Sequence, residues 1–316
     1  MSVKPLTVVM LCYNSRDVIE PTLESIASQT LSTSQFDLIV SIDGKHDGVE
    51  DIAKKIVPHA KIIERRHNMG IVNHVNIAYR GIDSPLVACH DHDDLSMPDR
   101  FEYQVDQMMS KPHLVAHVGH ATVFGTRSHI FPVRSTAEVK LSYFKANSVI
   151  SPTAMYRQSL LPHGTVVANP WLEHSEDYAI FADFIARGLP FEVTDKVLIK
   201  YHMHDSNDHL LHPVKQNLTA RAVMRDLQLR LFPDLRSRDA DLLSTLYTGG
   251  LVADSMPTLY RDLTELAGAI SRSTASGFIP PGFSQQEYKT MAGIALKDIT
   301  ECLSKLRAHG HLAYDS

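Results

Sequence analysis

Pro85-Leu86-Val87-Ala88-Cys89-His90-Asp91-His92-Asp93-Asp94 is the stretch that decides how this chain folds. Leu86 to Cys89 is a short, continuous apolar run, the pattern of a buried strand. Asp91, Asp93 and Asp94 follow it, interleaved with His90 and His92, so carboxylates and imidazoles crowd the strand's carboxyl end. Neighbouring carboxylates repel unless solvent or a cation relieves them. A hard divalent ion does so through oxygen ligands, and it keeps room for substrate phosphates. Open α/β sheets bind ligands at this end of their strands. The same residues also fit a solvated turn that enters a helix, with Ser96 as N-cap, Pro98 in the first turn and Asp99 favoured by the dipole. A lone D-x-D is short and common by chance, so the rest of the chain must choose between the two.

Toward the N-terminus, strands and helices alternate. Thr7–Leu11, Phe36–Ile42 and Ala60–Glu64 read as strands. Asn14 to Asp17 caps a helix with Val18, Ile19, Leu23, Ile26 and Ala27 on one face, and Val49–Ile56 and Val72–Arg80 continue the helical series. Asp43-Gly44, Asp47-Gly48 and Asn68-Met69-Gly70 are turns. Toward the C-terminus we expect a helix over Pro98–Met109, a strand over Leu114–Phe124 and a strand over Asn147–Tyr156 broken at Pro152. Glu176–Arg187 is amphipathic, with Ile180, Phe181, Phe184 and Ile185 inward and Gly188 as C-cap, and Phe191–Tyr201 is extended. The alternation predicts an α/β fold, a Rossmann-like and mostly parallel sheet flanked by helices. Past residue 210 the pattern turns helical, over 214–230, 240–271 and 286–309, with a loop at Gly277–Gly282. Two domains are expected, 1–210 and a helical C-terminal extension, 211–316.

The 316 residues are 44% hydrophobic, enough for a sizeable core. A net charge of −5 leaves no electrostatic footprint for broad nucleic-acid binding. Cys12, Cys89 and Cys302 are far apart and read as reduced, structural thiols of the cytosol. No apolar run approaches the roughly 20 residues of a membrane span, and no signal peptide is visible.

Five places, in order, resemble the family 2 glycosyltransferases. They are Val8–Cys12 ending in Tyr13-Asn14, Val40–Ile42 ending in Asp43-Gly44, Asn68-Met69-Gly70 followed by Asn76, the D-x-D-D of Asp91 to Asp94, and Glu176-Asp177 with Tyr201-His202-Met203-His204 downstream. The departures are His74-Val75-Asn76 where the family usually has Ala-Arg-Asn, Ile42 and Lys45 beside the second motif, and His202 where an arginine is usual.

The resemblance implies a GT-A fold and metal-dependent, inverting transfer of a sugar from a nucleotide diphosphate sugar, a uridine diphosphate sugar first of all, to a hydroxyl. It implies Mn²⁺ or Mg²⁺ on Asp93, with Asp91 on the ribose or on the metal through water. His204 would reach the metal or the diphosphate; a plain strand histidine is the competing reading. Asp177 is the expected general base, ahead of Glu176, although an acid at a helix start can also be only a cap. Tyr13, Asn14, Asp43 and Asn68 would join Asp91 around the nucleotide, with Tyr13 against the base and Asp43 accepting from its ring N–H. Trp171, the only tryptophan, would stack on an acceptor sugar or fill a core. The expected acceptor class is a glycan or lipid-linked glycan, such as a cell-surface polysaccharide precursor. The expected setting is the cytoplasm, with peripheral contact at the inner face of the membrane. The C-terminal helices are expected to pack on the catalytic domain, to form a homodimer, or to dock on a membrane.

Two other classes stay open at this point. His90-Asp91-His92-Asp93-Asp94 partly matches the dinuclear zinc motif of metallo-β-lactamase-like hydrolases, with Leu95 in the place of the last histidine. A protein that binds a nucleotide sugar or glycan without turnover is the other.

Overall fold

The computed structural model describes residues 3–44, 47–127, 129–249, 251 and 256–308, apart from the side chain of His209. His309, the expected end of the last helix, and Lys45 lie outside the described residues.

Strand β1 (Leu6–Cys12) is buried along its whole length and runs parallel to β2 (Phe36–Ile42) on one side and β4 (Leu86–Asp91) on the other. β3 (Lys61–Glu64) pairs parallel with β2. Beyond β4, the short β7 (Met155–Arg157) is antiparallel both to β4 and to β6 (Ala116–Gly125). β6 runs parallel to the long β8 (Phe191–Met203), and β5 (Leu95–Ser96) closes the edge antiparallel to β8. The order of the eight-stranded sheet is β3-β2-β1-β4-β7-β6-β8-β5.

One face of the parallel half is sealed by three helices. Leu6, Val8, Met10, Phe36, Leu38, Val40, Leu86 and Ala88 point to that face, as the period of two requires. Ile19, Leu23 and Ile26 of α1 (Ile19–Ala27), Val49 and Ala53 of α2 (Val49–Ile56), and Phe101, Val105 and Met108 of α4 (Arg100–Ser110) pack against it. On the opposite face lies α3 (Ile71–Ala78), whose buried His74 meets Ser41 of β2 with Nε2 2.9 Å from Oγ.

Local expectations fail where tertiary contacts take the capping groups. Ser96 does not cap α4. It pairs with Ile199 in the sheet, and its hydroxyl meets His90 Nε2 at 2.8 Å and Arg100 at 3.3 Å, so α4 starts at Arg100 after Asp99. The start of α1 at Val18 likewise has no side-chain cap; the Ser15 N–H donates to Asp47 Oδ2 at 3.0 Å, and Ala27 is exposed. The strand expected from Asn147 shrinks to β7, because residues Ser151–Thr153 form a 3₁₀ turn.

The chain divides into two compact units. The first, Met1–Thr136, Val149–Ile180 and Pro190–Pro213, contains the whole sheet. The second gathers Ala137–Ser148, Phe181–Leu189 and the chain from Val214 onward. It is helical, built from the ends of α5 (Thr136–Ser142) and α6 (Glu176–Arg187) together with α8 (Pro213–Leu231), α9 (Ser237–Thr248), α10 (Met256–Ala275) and α11 (Gln285–Ala308), the short α7 (Asp208–Leu211) belonging to the first unit. The helical stretch expected over 240–271 is thus two helices. Phe144, Phe232 and Tyr288 form an aromatic chain at its centre, with rings 6.0 and 5.9 Å apart. Gly188, at φ +68, ends α6 as expected, and a Cβ there would lie 2.6 Å from the Gly282 nitrogen. Among the described residues no helix is long and apolar enough to cross a membrane.

Candidate active site

Parallel pairing brings the ends of β1, β2 and β4 together. Cys12 stands opposite Ile42 and Leu11 opposite Asp91, so Tyr13-Asn14, Asp43 and Asp91 emerge side by side. Tyr13 is half exposed and Asn14 takes a left-handed φ of +49. Asp43 is buried, and both its oxygens accept the Met69 N–H at 3.0 Å. Asn68 Oδ1 accepts the Gly70 N–H at 2.7 Å, which shapes the turn into α3. Gly44 lets this turn approach: a Cβ there would lie 2.9 Å from the Asn68 nitrogen.

The acidic run is anchored at both ends. Asp91 ends β4, and β5 is held by β8, opposite Lys200 and Ile199. Asp94 is buried, and its Oδ1 accepts the His202 N–H at 2.9 Å, while its Oδ2 is sealed off with no hydrogen-bond partner. His202, on β8, and His204, one residue past its end, lie two apart in the chain, with rings 4.7 Å apart. His204 Nε2 is 2.8 Å from Asp93 Oδ2. One ligand atom each of Asp93, His202 and His204 falls within 4.8 Å of the others.

The tautomer of His204 follows from its neighbours. The Ser206 N–H donates to Nδ1 at 3.2 Å, so Nε2 carries the proton that faces Asp93. Ser206 Oγ is 2.7 Å from the same Nδ1 and donates to it as well. Asn207 holds the segment: its Oδ1 accepts the His204 N–H at 2.7 Å and its Nδ2 donates to the His202 carbonyl at 3.1 Å.

The electrostatics are those of crowded carboxylates. Burial first, then the charges of Asp93 and Asp177, push Asp91 up to about 7. Burial, then Asp91 and Asp93, hold Asp94 well above the usual carboxylate range. Burial, then Asp177, push Glu176 up to about 8, and its Oε2 is buried without a partner. Asp177 therefore faces both Asp91 and Glu176 from the start of α6, where its Oδ1 accepts the Tyr178 N–H at 2.6 Å. Burial, then His204, lowers His202, which favours the neutral imidazole that binds metals. One carboxylate and two imidazoles are a mixed donor set open to several divalent ions; it fits Mn²⁺ or Mg²⁺ where the carboxyl of Asp91 and the oxygens of a diphosphate add to it.

Residues 7–164 match the profile of Glycosyl transferase family 2. The chain belongs to that family. Over 242 residues, 70% of this chain and 73% of the relative, it is 24% identical to an uncharacterized glycosyltransferase of Haemophilus influenzae. Its fold superimposes on Staphylococcus aureus TarS 1–349 in complex with UDP-GlcNAc, with a TM-score of 0.62 at 17% identity, covering 98% of this chain and 93% of TarS 1–349. Mannosyltransferase PcManGT of Pyrobaculum calidifontis, in complex with GDP-Man and Mn²⁺, matches with a TM-score of 0.53 at 14% identity over 96% of this chain and 88% of that one. The α/β architecture is the GT-A fold expected from the motifs, and the protein is a glycosyltransferase.

The hydrolase and the non-catalytic binder fall away with the family 2 assignment. His90, which the dinuclear zinc motif needs as a ligand, is fully buried between the Asp91 carbonyl at 2.7 Å and Ser96, and burial, then Arg100, lowers it to about 3. Cys89 is no thiolate either, since burial pushes it up to about 12.

Trp171 is 86% exposed, which removes the core reading. The structure also brings to this cluster residues whose sequence signal was weak. His202 was legible through its spacing from His204, but it stood only as a departure from the family's arginine. Asn207 gave no signal. Arg100 is wholly buried and donates to the Cys89 and Pro152 carbonyls at 2.8 and 2.7 Å, a cation set behind Asp91 and Asp94. Asn76, part of the third motif, exchanges two hydrogen bonds with Ala168 at 2.9 and 2.7 Å and so fastens α3 to the segment before Trp171.

Proposed function

We propose that this glycosyltransferase transfers a sugar with inversion from a uridine diphosphate sugar to a hydroxyl of a glycan or lipid-linked glycan acceptor, and that it needs Mn²⁺ or Mg²⁺. The observation that carries this reading is the convergence of Asp93, His202 and His204 within 4.8 Å. Asp93, His202 and His204 would hold the ion, with Asp91 alongside. When bound, the ion would supply Lewis-acid neutralisation of the charge that develops on the departing diphosphate.

The chain's own groups do the rest. Asp177 takes the acceptor proton as the acceptor oxygen bonds to the anomeric carbon and the bond from that carbon to the diphosphate oxygen breaks. Glu176, protonated by its burial, adds no second negative charge beside the base. Tyr13, Asn14, Asp43, Asn68 and Asp91 form the nucleotide cradle at the strand ends, and the exposed Trp171 offers a stacking face to an acceptor sugar. UDP-GlcNAc in the TarS neighbour supports a uridine donor, and Mn²⁺ in the PcManGT neighbour supports the ion. We assign catalysis to residues 1–210, where every motif lies, and treat 211–316 as the helical extension, the part available for a second copy of the chain or for peripheral membrane contact in the cytoplasm.

Calorimetry with UDP, GDP and dTDP, each with and without Mn²⁺, tests the donor. UDP should bind in the presence of Mn²⁺ and more weakly after EDTA. Tight GDP or dTDP binding with no UDP binding would overturn the uridine assignment. Full turnover in excess EDTA would overturn the metal.

A further inference from the structure

A second group of metal-ligating side chains shares no residue with the Asp93 cage. His174, Asp208 and His212 each bring one ligand atom within 4.8 Å of the others. His174 Nδ1 is 2.7 Å from Asp208 Oδ2, and His212 Nε2 is 3.9 Å from Asp208 Oδ1. The two imidazole rings are 4.7 Å apart. Two elements supply them. Asp208 and His212 sit four apart, on and just after α7, which puts both on one side of a single turn. His174 comes from the turn before α6, at a φ of +70 that side chains rarely adopt.

We propose that His174, Asp208 and His212 form a zinc site. Two imidazoles and one carboxylate are a donor set that zinc takes with its fourth position open to water. Zinc–nitrogen and zinc–oxygen bonds of about 2.0–2.2 Å put tetrahedral donors roughly 3.3 Å apart. The pair now hydrogen-bonded at 2.7 Å would open slightly, and the pair at 3.9 Å would close slightly. The carboxylate is exposed and gives an ion a path in, while the His174 side chain is only 10% exposed and already aimed. His174 lies two residues before Glu176, and Asp208 four residues after His204. An ion here ties the turn that launches the Glu176-Asp177 pair to the segment that follows His204.

The test uses zinc chloride alone on the full chain stripped of metal. Wild type, Asp208→Asn, His212→Ala, His204→Ala and the double variants that add Asp208→Asn or His212→Ala to His204→Ala are equilibrated with zinc, desalted, and measured for metal per chain by mass spectrometry, with circular dichroism as the check on folding. Asp208→Asn and His212→Ala should each hold one zinc fewer than wild type, and either one added to His204→Ala should remove the zinc that His204→Ala still holds, with affinity weakened by about tenfold or more. Should His212→Ala fail to fold, the near-isosteric Asp208→Asn decides. Zinc lost only through His204→Ala, equal zinc in all the proteins, or no zinc on the wild type would each overturn the site.

Discussion

Asp93 and His204 stand 111 positions apart in the chain, yet Asp93 Oδ2 and His204 Nε2 are 2.8 Å from each other. Two links set that distance. β5, directly after the acidic run, pairs with β8 directly before the histidines, and Asp94 takes the His202 N–H. The cage is therefore built by sheet pairing and owes little to the local conformation of either loop.

Removing Asp93 should abolish transfer and spare the fold. Asp93→Ala takes away the carboxylate at the centre of the cage and fills no core position. Transfer should fall by about 10³-fold, equivalent to roughly 4 kcal/mol of transition-state stabilisation. Initial rates of nucleotide release, alongside a thermal melt, check this; EDTA on the wild type should reproduce the loss and Mn²⁺ should reverse it.

Asp177→Asn separates base from cap. Asparagine keeps the oxygen that accepts the Tyr178 N–H but cannot take a proton. Transfer should fall by about 10²–10⁴-fold with donor affinity unchanged. Near-normal rates would move suspicion to Glu176 or His204.

Glu176 makes stability depend on pH in a defined direction. Its carboxyl is raised from 4.5 to about 8 in the folded protein, chiefly by burial, so between those values the folded state holds a proton that the unfolded state has lost. Stability attributable to this group is full below the unfolded value and declines as pH rises through the window. Glu176→Gln should therefore be more stable than wild type above pH 8, by up to about 5 kcal/mol, and the two should converge near pH 4. Melting curves across that range measure the difference.

Asn207→Ala should loosen the cage without touching an ion. Its two hydrogen bonds to the His202–His204 backbone are lost, while the one from the His202 N–H to Asp94 remains. Mn²⁺ affinity should weaken by about 10–100-fold, as when other groups that orient ligands are removed. Calorimetry of Mn²⁺ with UDP present reads it, and the donor site itself should be intact.

The fold was legible where local pattern and tertiary structure agree. Phe36–Ile42 and Val49–Ile56 form the strand and helix that their apolar patterns predict, because Asp43-Gly44 and Gly48 punctuate them. β5 was illegible: two residues carry no period, and only β8 makes them a strand. Arg100 was illegible for another reason. An arginine in a helix reads as surface, and its buried acceptors come from residues 11 and 52 positions away. In the site, the acidic run and Glu176-Asp177 announced themselves by charge at element ends. Asn207 did not, since an asparagine after a strand looks like any turn residue.

The pairing of β5 with β8 bears on how this lineage can change. Side chains alternate along a strand, so one residue inserted between Ile199 and His202 would turn both imidazoles away from Asp93. Two inserted residues would restore the side but carry the imidazoles past it by about 6.6 Å. Spacing here is thus as constrained as the two imidazoles themselves, and insertion or deletion must fall elsewhere.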